Sequence, residues 1–554
     1  MKHLSLRIIL NARYSAFAIF LLLSGSLFWS PTVARSQESR AQESRALSGT
    51  SRIQSIFQQG HLLEGEKKWG EAVSHYERAL KNIPSNGPLR DRHDWAKLHY
   101  DLGHRYKDLS FRRSTFQLSE QQANDLYNEV LAKLESHFVQ TISLQRLFNR
   151  GTNSIDIALT KQYFVDQHLA NVPSQRIEAV REKLRERMAT QLLQNRRDAT
   201  HAARVAARML ATDLGIPPAA VIMEYVCAAC GGLDPYSAYL TEDQLREVHA
   251  QIDGNFVGLG IEIKADAAEL TIVSVIAGSP AQRAGIRPGD HITSVDGQST
   301  EALTADEAAR VLQGPANTTL QLLVVTGSDP PRALMIRREH IEVPSVDEVQ
   351  IIDRGSGIGY LKLVSFQRST GRDVEAAMWK LYRDGMKSLI VDVRGNPGGL
   401  LTAAVDVADK FVDHGTIVST RGRNKIEDFD YSARKANTWR VPLVVLIDEN
   451  SASASEIFAA AVRGHRAGTV VGTQSYGKGS VQGIFPLSLA GAGVRLTTAK
   501  FYDPGGHPIS NVGVRPDVTV HVAAKPLPDA SVTGATDAIL NAGIQAAKQK
   551  IAQR

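Results

Sequence analysis

The stretch LVVLIDENSASASEIFAAAV, residues 443–462, runs from a wholly apolar segment through a serine-rich turn into an alanine-rich segment. An apolar run as short as Leu443–Ile447 is typical of a strand buried on both faces, and Ala454–Val462 predicts the helix that follows it. The same alternation continues on both sides, with strands predicted at Ile358–Val364, Leu389–Val393 and Thr469–Val471 and helices at Asp373–Asp384 and Leu400–Phe411. Strands that alternate with helices predict an α/β domain with a largely parallel sheet.

Two regions of different texture precede this domain. Residues 256–337 combine short strands, glycine- and proline-rich turns and one helix predicted at 304–312, which indicates a small β-rich domain. Residues 53–232 are helix-rich. Within them Trp69–Leu80 resembles the second helix of a tetratricopeptide repeat and Leu102–Tyr106 the first helix of another, with a plain amphipathic helical hairpin as the alternative.

The N-terminus has the layout of a secretory signal. Basic residues precede the apolar stretch Ala16–Leu23, and Thr32-Val33-Ala34 resembles a small-residue cleavage site. We therefore expect export, with an unstructured polar leader after the cleavage site; the alternative is an uncleaved membrane anchor. The net charge of +6 indicates a mildly basic surface and does not by itself argue for a nucleic-acid partner.

The two cysteines, Cys227 and Cys230, form a C-A-A-C motif. They supply only two of the four ligands that zinc usually takes, and a thioredoxin-like site needs a βαβ unit where these flanks are helical. A small disulfide in an oxidising compartment and two packed thiols at a helix end stay open as alternatives. We expect no metal and no other cofactor.

The serine-rich turn lies where a predicted strand meets a predicted helix. Unpaired amides and a partial positive charge at a helix N-terminus can stabilise an oxyanion beside an exposed serine oxygen. Helix capping explains one serine, but not Ser451, Ser453 and Ser455 with alanines between them. The loop after Leu389–Val393 complements this turn, because Gly398-Gly399 lets backbone amides approach a substrate. Phosphate binding is the weaker alternative, since the P-loop pattern is absent.

A catalytic serine needs a general base. His414, His465 and His507 lie in this domain outside any recognisable triad context. Lys478 lies between two glycines just after a strand, and a lysine made neutral by burial can serve as the base of a Ser–Lys pair.

Five motifs, taken together and in this order, resemble the C-terminal processing peptidases, also called tail-specific proteases. The motifs are LDPYSAYL at 233–240, GLGI at 258–261, DVRGNPGG at 392–399, SASASE at 451–456 and GKGSVQ at 477–482. The resemblance implies that Ser453 is the nucleophile and that Lys478, 25 residues further on, is the base. It also implies that Gln482 orients the lysine amine and that the amides of Gly398 and Ala454 form the oxyanion hole.

The β-rich domain then resembles a PDZ domain, in which the amides of a glycine-rich loop hold a terminal carboxylate. That loop is Gly258-Leu259-Gly260-Ile261, with an ordinary turn containing two glycines as the alternative. Together with the predicted secretory signal, the resemblance implies an exported serine endopeptidase of the bacterial periplasm or cell envelope. It would recognise C-terminal tails of protein substrates and cleave through an acyl-enzyme. The alternative function is a protein-binding scaffold with a degenerate peptidase core.

The predicted fold class is multidomain: an α/β catalytic domain with an inserted PDZ domain and a helical N-terminal region. We expect this helical region to bind an adaptor protein or a second copy of the chain. The predicted parts are a signal peptide (1–34), a disordered leader (35–52), a tetratricopeptide-like module (53–115), a helical region of the peptidase (116–243), the PDZ domain (244–342), the peptidase core (343–525) and a C-terminal helical segment (526–554).

Overall fold

The computed structural model describes residues 53–266, 269–300, 308, 311–327, 329–434, 438–521 and 537–553. The predicted signal peptide, the leader, most of the helix predicted at 304–312 and residues 526–536 of the C-terminal segment lie outside these residues. The described chain divides into two compact units, one of residues 53–243 and 483–496 and one of residues 244–482 and 497–553.

The first unit is helical, as the sequence predicted. Its helices are α1 (residues 53–65), α2 (Trp69–Asn82), α3 (Gly87–Arg105), α4 (Leu109–Gln117), α5 (Glu120–His137), α6 (Leu144–Ala158), α7 (Gln162–His168), α8 (Ser174–Ala189), α9 (Arg196–Leu214) and α10 (Pro218–Gly231). A short strand, β1 (Ala238–Leu240), pairs antiparallel with residues 493–495. Apart from Glu224, helix α10 is mostly apolar, and its residues from Ala219 to Cys230 are buried, as expected for the central helix of a bundle.

One buried polar cluster joins three helices of this unit. The Glu224 carboxylate on α10 accepts hydrogen bonds from Arg105 Nη2 (2.6 Å), Tyr106 OH (2.8 Å) and Ser154 Oγ (2.7 Å). A buried carboxylate needs such donors, because an uncompensated charge in the core is costly.

Cys227 and Cys230 are both buried on α10 and are not joined by a disulfide. Burial raises the pKa of the Cys227 thiol to about 12, which keeps it protonated and unreactive at neutral pH. Of the alternatives left by the sequence, the structure therefore corresponds to two packed thiols.

The second unit contains a small β-rich part and an α/β part. After α11 (Glu242–Asp253), the β-rich part holds β2 (Asn255–Gly258), β3 (Ile261–Asp266), β4 (Glu269–Val275), α12 (Pro280–Arg283), β5 (His291–Val295), β6 (Gln298–Ser299), β7 (Thr319–Val325), β8 (Arg332–Arg337) and β9 (Glu339–Glu342). The main sheet has the order β3-β4-β5-β7-β8 and encloses its own apolar core, while β2 and β9 form an antiparallel ribbon.

The α/β part carries a mainly parallel sheet. Its elements are β10 (Val346–Asp353), β11 (Ile358–Leu363), α13 (Thr370–Arg383), β12 (Ser388–Asp392), α14 (Leu401–Asp409), β13 (Thr416–Gly422), β14 (Phe429–Ser432), β15 (Leu443–Ile447), α15 (Ala454–Gly464), β16 (Thr469–Gly472), the start of β17 (Ser480–Pro486), the end of β18 (Gly493–Tyr502), β19 (Val518–Thr519) and α16 (Ala538–Ala552). The rest of β17 and β18 falls within residues 483–496, which belong to the first unit. The sheet order is β10-β11-β12-β15-β16-β19, and only β10 is antiparallel to its neighbour among these described strands.

Both faces of this sheet are covered, which explains why its strands are apolar throughout. Leu443, Val445 and Ile447 pack in the core shared with α13, α14 and α15, whereas Val444 and Leu446 pack in the core shared with α16. The predicted strand Leu443–Ile447 matches β15, and the predicted helix at Ala454 begins where α15 begins.

The order of the strands brings two loops together. Strands β12 and β15 are parallel neighbours, with Asp392 opposite Leu446, so the chain leaves both strands at the same edge of the sheet. Residues 393–399 and 448–453 therefore lie side by side, at the edge where α/β proteins usually place their reactive groups.

Candidate active site

Ser453 occupies the tip of the turn that leaves β15. Its backbone has φ +56° and ψ −113°, in a region that residues other than glycine rarely adopt. Such strain persists only where the surroundings enforce it, and it occurs most often at functional positions. Ser453 is half-buried at the N-cap position of α15, so its side chain stands beside the first amides of that helix.

Lys478 lies in the irregular segment between β16 and β17 and is also half-buried. Its two glycine neighbours are explained by close packing against residues 509–513. A Cβ on Gly479 would come within 2.2 Å of Ser510 N, and one on Gly477 within 3.2 Å of three backbone atoms. The glycines therefore let this segment lie tightly against its neighbour and fix where Lys478 leaves the backbone.

Glu456 joins the two predicted catalytic segments. Its Oε2 accepts hydrogen bonds from the amides of Ser453 (2.7 Å) and Lys478 (2.9 Å), and its Oε1 accepts from Gly477 N (2.7 Å) and Ser475 Oγ (2.6 Å). Both catalytic backbones are thus held within one hydrogen bond of the same carboxylate oxygen.

The carboxyl group of Glu456 is fully buried, and this burial raises its pKa although the four hydrogen bonds oppose the shift. Glu456 was not among the site residues predicted from the sequence. The signal was present in the spacing, because a serine followed three residues later by glutamate is a capping-box pattern.

The glycine loop touches the nucleophile turn. Gly398 has φ +105°, and a Cβ there would lie 2.8 Å from Ser453 Cβ and 2.9 Å from Ala454 N, so only glycine fits. The Gly398 amide, however, already donates to Asn396 Oδ1 at 2.9 Å. Its donation to an oxyanion stays a prediction. The amides of Gly399 and Ala454 have no acceptor within the described chain.

The remaining predicted residues of the core are placed as follows. The side-chain amide of Gln482, in β17, donates to Ser480 Oγ at 2.9 Å. His465 lies just beyond the far end of α15 and contacts the Thr416 carbonyl oxygen at 2.7 Å, so it does not serve Ser453. The other two histidines of the core, His414 and His507, lie beside the carboxylates of Asp413 and Asp503.

A charged cluster anchors the base of the glycine loop. Buried Asp392 at the end of β12 accepts hydrogen bonds from Tyr360 OH (2.8 Å) and from the Arg394 guanidinium. Arg394 also donates to Asp537 at 2.8 Å, which caps helix α16. These pairs fix the strand end from which the loop departs.

The predicted carboxylate-binding loop lies between β2 and β3. Leu259 is buried in the core of the β-rich part, and the carbonyl oxygens of Leu259 and Gly260 accept from Ala281 N (2.9 Å) and Ile276 N (2.8 Å). In a trans peptide the N–H points away from the carbonyl oxygen of the preceding residue, so the inward Leu259 carbonyl turns the Gly260 amide outward, where it has no acceptor among the residues described. This is the arrangement that a carboxylate-binding loop requires.

The described residues also form a cavity away from this site. It has a volume of about 460 Å³, includes Trp439, Arg440 and Pro442 in its lining, and lies at the opposite end of β15 from Ser453. Across the described ranges, no cluster of three or more His, Cys, Asp or Glu side chains could hold a metal ion. No described helix has the length and apolar character needed to span a membrane.

Comparisons with known proteins agree with these two parts of the second unit. The family described as Peptidase family S41 matches residues 357–520, and the family described as PDZ domain matches residues 271–326. The "Carboxy-terminal-processing protease" of Bartonella bacilliformis is 41% identical over 304 residues, which cover 54% of this chain and 68% of that protein. The "Probable CtpA-like serine protease" of Staphylococcus aureus is 36% identical over 291 residues, 52% of this chain and 57% of that protein.

Among solved structures, the photosystem II D1 C-terminal processing protease is 25% identical, with a TM-score of 0.34, and the match covers 69% of this chain and 94% of that one. Neither family match extends to the repeat-like segment at residues 53–115. The tetratricopeptide-like character of that segment therefore stays a prediction.

Proposed function

Because this chain belongs to the family of carboxy-terminal-processing proteases and is a serine-type endopeptidase, we propose that it cleaves exported proteins with a Ser453–Lys478 dyad. The observation that carries this proposal is the Glu456 carboxylate, which binds the backbones of both residues and so holds nucleophile and base together.

The reaction would proceed through an acyl-enzyme. Neutral Lys478 takes the proton of the Ser453 hydroxyl as its oxygen attacks the scissile carbonyl carbon. When the tetrahedral intermediate collapses, the C–N bond breaks and Lys478 gives the proton to the leaving amine. Water then attacks the ester, Lys478 takes a proton from that water, and hydrolysis releases the acid and restores the Ser453 hydroxyl. The strained backbone of Ser453 and its position at the start of α15 suit the exposed nucleophile that these steps require.

The oxyanion would rest on backbone amides at this same junction. Ala454 N is the first amide of α15 and gains from the partial positive charge of the helix N-terminus. In the glycine loop we assign the second donor to Gly399, because its amide lacks an acceptor among the described residues whereas that of Gly398 is used. We assign Gln482 to orient the Lys478 amine, because its Nε2 donates to Ser480 Oγ and leaves Oε1 as the acceptor for that amine.

The β-rich part would select the substrate. We assign its loop at residues 258–261 to the terminal carboxylate of a polypeptide tail, which adds to the sheet beside β3. The inward-facing carbonyl of Leu259 supports this assignment, since it leaves the Gly260 amide outward for an anion. Export to the periplasm or cell envelope, and a partner-binding role for the N-terminal helices, belong to the same proposal and rest on the sequence alone.

Two substitutions test the dyad. Ser453→Ala and Lys478→Ala should each abolish cleavage of a labelled unfolded protein that carries an appended apolar C-terminal tail. Ser432→Ala and Lys425→Ala change exposed residues of the same domain and are the matched controls. Cleavage by either dyad variant at the wild-type rate would refute the assignment.

A second substrate pair tests tail recognition. A tail with a free carboxylate should be cleaved with a lower KM than the same tail ending in an amide, because only the carboxylate can accept from the loop amides. Equal KM values for the two tails would remove the carboxylate-binding role from residues 258–261.

A further inference from the structure

Asn396, in the middle of the glycine loop, is a buried polar residue with every side-chain group in use. Its Nδ2 donates to the Leu363 carbonyl oxygen at the end of β11 (2.8 Å), and its Oδ1 accepts from Gly398 N (2.9 Å). Burying an amide is unfavourable unless both its donor and its acceptor are satisfied. The side chain therefore links the loop firmly to the neighbouring strand.

The backbone of the same residue binds the turn that carries the nucleophile. The Asn396 carbonyl oxygen accepts from Ala452 N (3.1 Å) and from Ser455 Oγ (3.0 Å), the residues on either side of Ser453 and Ala454. Ser451 Oγ adds a parallel link by donating to the Val393 carbonyl oxygen at 2.8 Å. These contacts explain the two serines that flank the nucleophile: each hydroxyl fastens the nucleophile turn to the glycine loop.

We infer that Asn396 is the positioning residue of the oxyanion hole, which fixes the Gly398-Gly399 loop at its distance from Ser453. This inference rests on the proposed Ser453–Lys478 mechanism. Asn396 Oδ1 fixes the peptide that enters Gly398, and Phe366 N, which donates to the Gly398 carbonyl oxygen at 3.0 Å, fixes the peptide that leaves it; between them they leave the Gly399 amide for the substrate oxygen. The loop packs so closely against Ser453 that a Cβ on Gly398 would lie 2.8 Å from Ser453 Cβ, so a small displacement of the loop would change its contact with the nucleophile.

Only a side chain that both donates and accepts at this length can fill the role. Aspartate matches the shape of asparagine, but its ionised carboxylate cannot donate to the Leu363 carbonyl oxygen. Its protonated form can donate there and still accept from Gly398 N. The substitution Asn396→Asp should therefore be functional in proportion to its protonated fraction, which distinguishes positioning from simple packing.

The charged groups that surround this loop are limited in number. Asp448 accepts from Gly395 N on one side, Glu456 lies on α15, and Asp392 is paired with Arg394 at the end of β12. Each is present in both the wild-type chain and the variant. Dividing the kcat of Asn396→Asp by the kcat of the wild-type chain at each pH therefore removes the contribution of these groups and of the titration of Lys478.

The test measures kcat and KM of the full chain with the labelled, tail-bearing unfolded protein. Asn396→Ala should lower kcat about 100-fold, the order expected for a lost oxyanion donor, and leave KM within about threefold. Asn396→Asp should show a similar loss at pH 8, and its kcat relative to wild type should rise as the pH falls. Ser455→Ala, which removes one link and leaves Ala452 N in place, should lower kcat by about tenfold.

Asn450→Ala is the matched control, since Asn450 lies in the adjacent turn and is exposed. A merely structural role for Asn396 would lower Tm and leave kcat within threefold, or would give a kcat ratio for N396D that does not change with pH; either result overturns the inference. Labelling of Ser453 by a fluorophosphonate distinguishes a failure of the proposed function from a failure of the inference about Asn396. An unlabelled Ser453 in the wild-type chain refutes the proposed function and this inference with it, whereas a labelled Ser453 with undiminished kcat in N396A refutes this inference alone.

Discussion

Glu456→Gln should separate the nucleophile from the base without changing either residue. Each carboxylate oxygen of Glu456 accepts two hydrogen bonds, so the NH₂ group of glutamine, in either orientation, would face two donors. Two buried hydrogen bonds are then lost, at about 1–3 kcal/mol for each donor left unsatisfied. Part of this cost is offset because a neutral amide is cheaper to bury than a charge.

The expected net loss is about 3 kcal/mol of unfolding free energy, or roughly 6–12 °C in Tm for a domain of this size. If glutamine keeps its oxygen toward Ser475 and Gly477, the amides of Ser453 and Lys478 lose their shared acceptor. A displacement near 1 Å between catalytic groups costs about 100-fold in rate, so kcat should fall by that order.

Thermal unfolding and steady-state kinetics of the same preparation are the assays. Glu449→Gln is the control, because Glu449 is exposed in the same turn and accepts one hydrogen bond, from Thr473 Oγ1 at 3.2 Å. Its Tm and kcat should stay at wild-type values within error. A Glu456→Gln variant with wild-type kcat would show that the shared carboxylate does not hold the dyad, and the reasoning would fail.

Three further outcomes follow from the same structure. Gly398→Ala should lower kcat at least about 100-fold, because its Cβ would displace Ser453, and unchanged kinetics would contradict the close contact. Burial raises the pKa of Glu456 above its ordinary value of 4.5, so between these two pKa values the folded state binds a proton that the unfolded state has lost. The free energy of unfolding should therefore fall as the pH rises through this interval. Tm measured against pH should show this fall in the wild-type chain and not in E456Q. In the helical unit, Glu224→Gln should cost about 3–5 kcal/mol by leaving Arg105 buried without its counter-ion, and a Tm within 2 °C of wild type would contradict this.

The sequence predicted the α/β core well because strands buried on both faces leave a strong local signal. The predicted strand Leu389–Val393 differs from β12 by one residue at each end, and the predicted helix Asp373–Asp384 lies within three residues of α13 at its start. The hairpin of β13 and β14 and the long strand β18 were not predicted. Their residues are exposed or mixed in polarity, so their pairing is decided by neighbours distant in sequence.

The site residues also divide into those with a local sequence signal and those whose roles depend on distant parts of the chain. Strand-end position and glycine spacing marked Ser453, Lys478 and the glycine loop, although the resemblance to a known family was needed to choose Ser453 over Ser451 and Ser455. Glu456 and Asn396 could not be assigned from the sequence, because their roles depend on hydrogen bonds to segments 20 to 60 residues away. For Gly398 the motif located the loop correctly, but nothing in the sequence indicated that its amide donates to the side chain of Asn396.

The central claim is that Ser453 is activated by neutral Lys478. The most direct test is the pH dependence of the rate at which a fluorophosphonate labels Ser453, with the labelled residue identified by mass spectrometry in the wild-type chain and in Lys478→Ala. We predict that the wild-type rate rises with pH as Lys478 loses its proton, and that the variant is labelled at least about 100-fold more slowly without that rise. Labelling at a different residue, or a wild-type pH profile that survives in the variant, would contradict the claim.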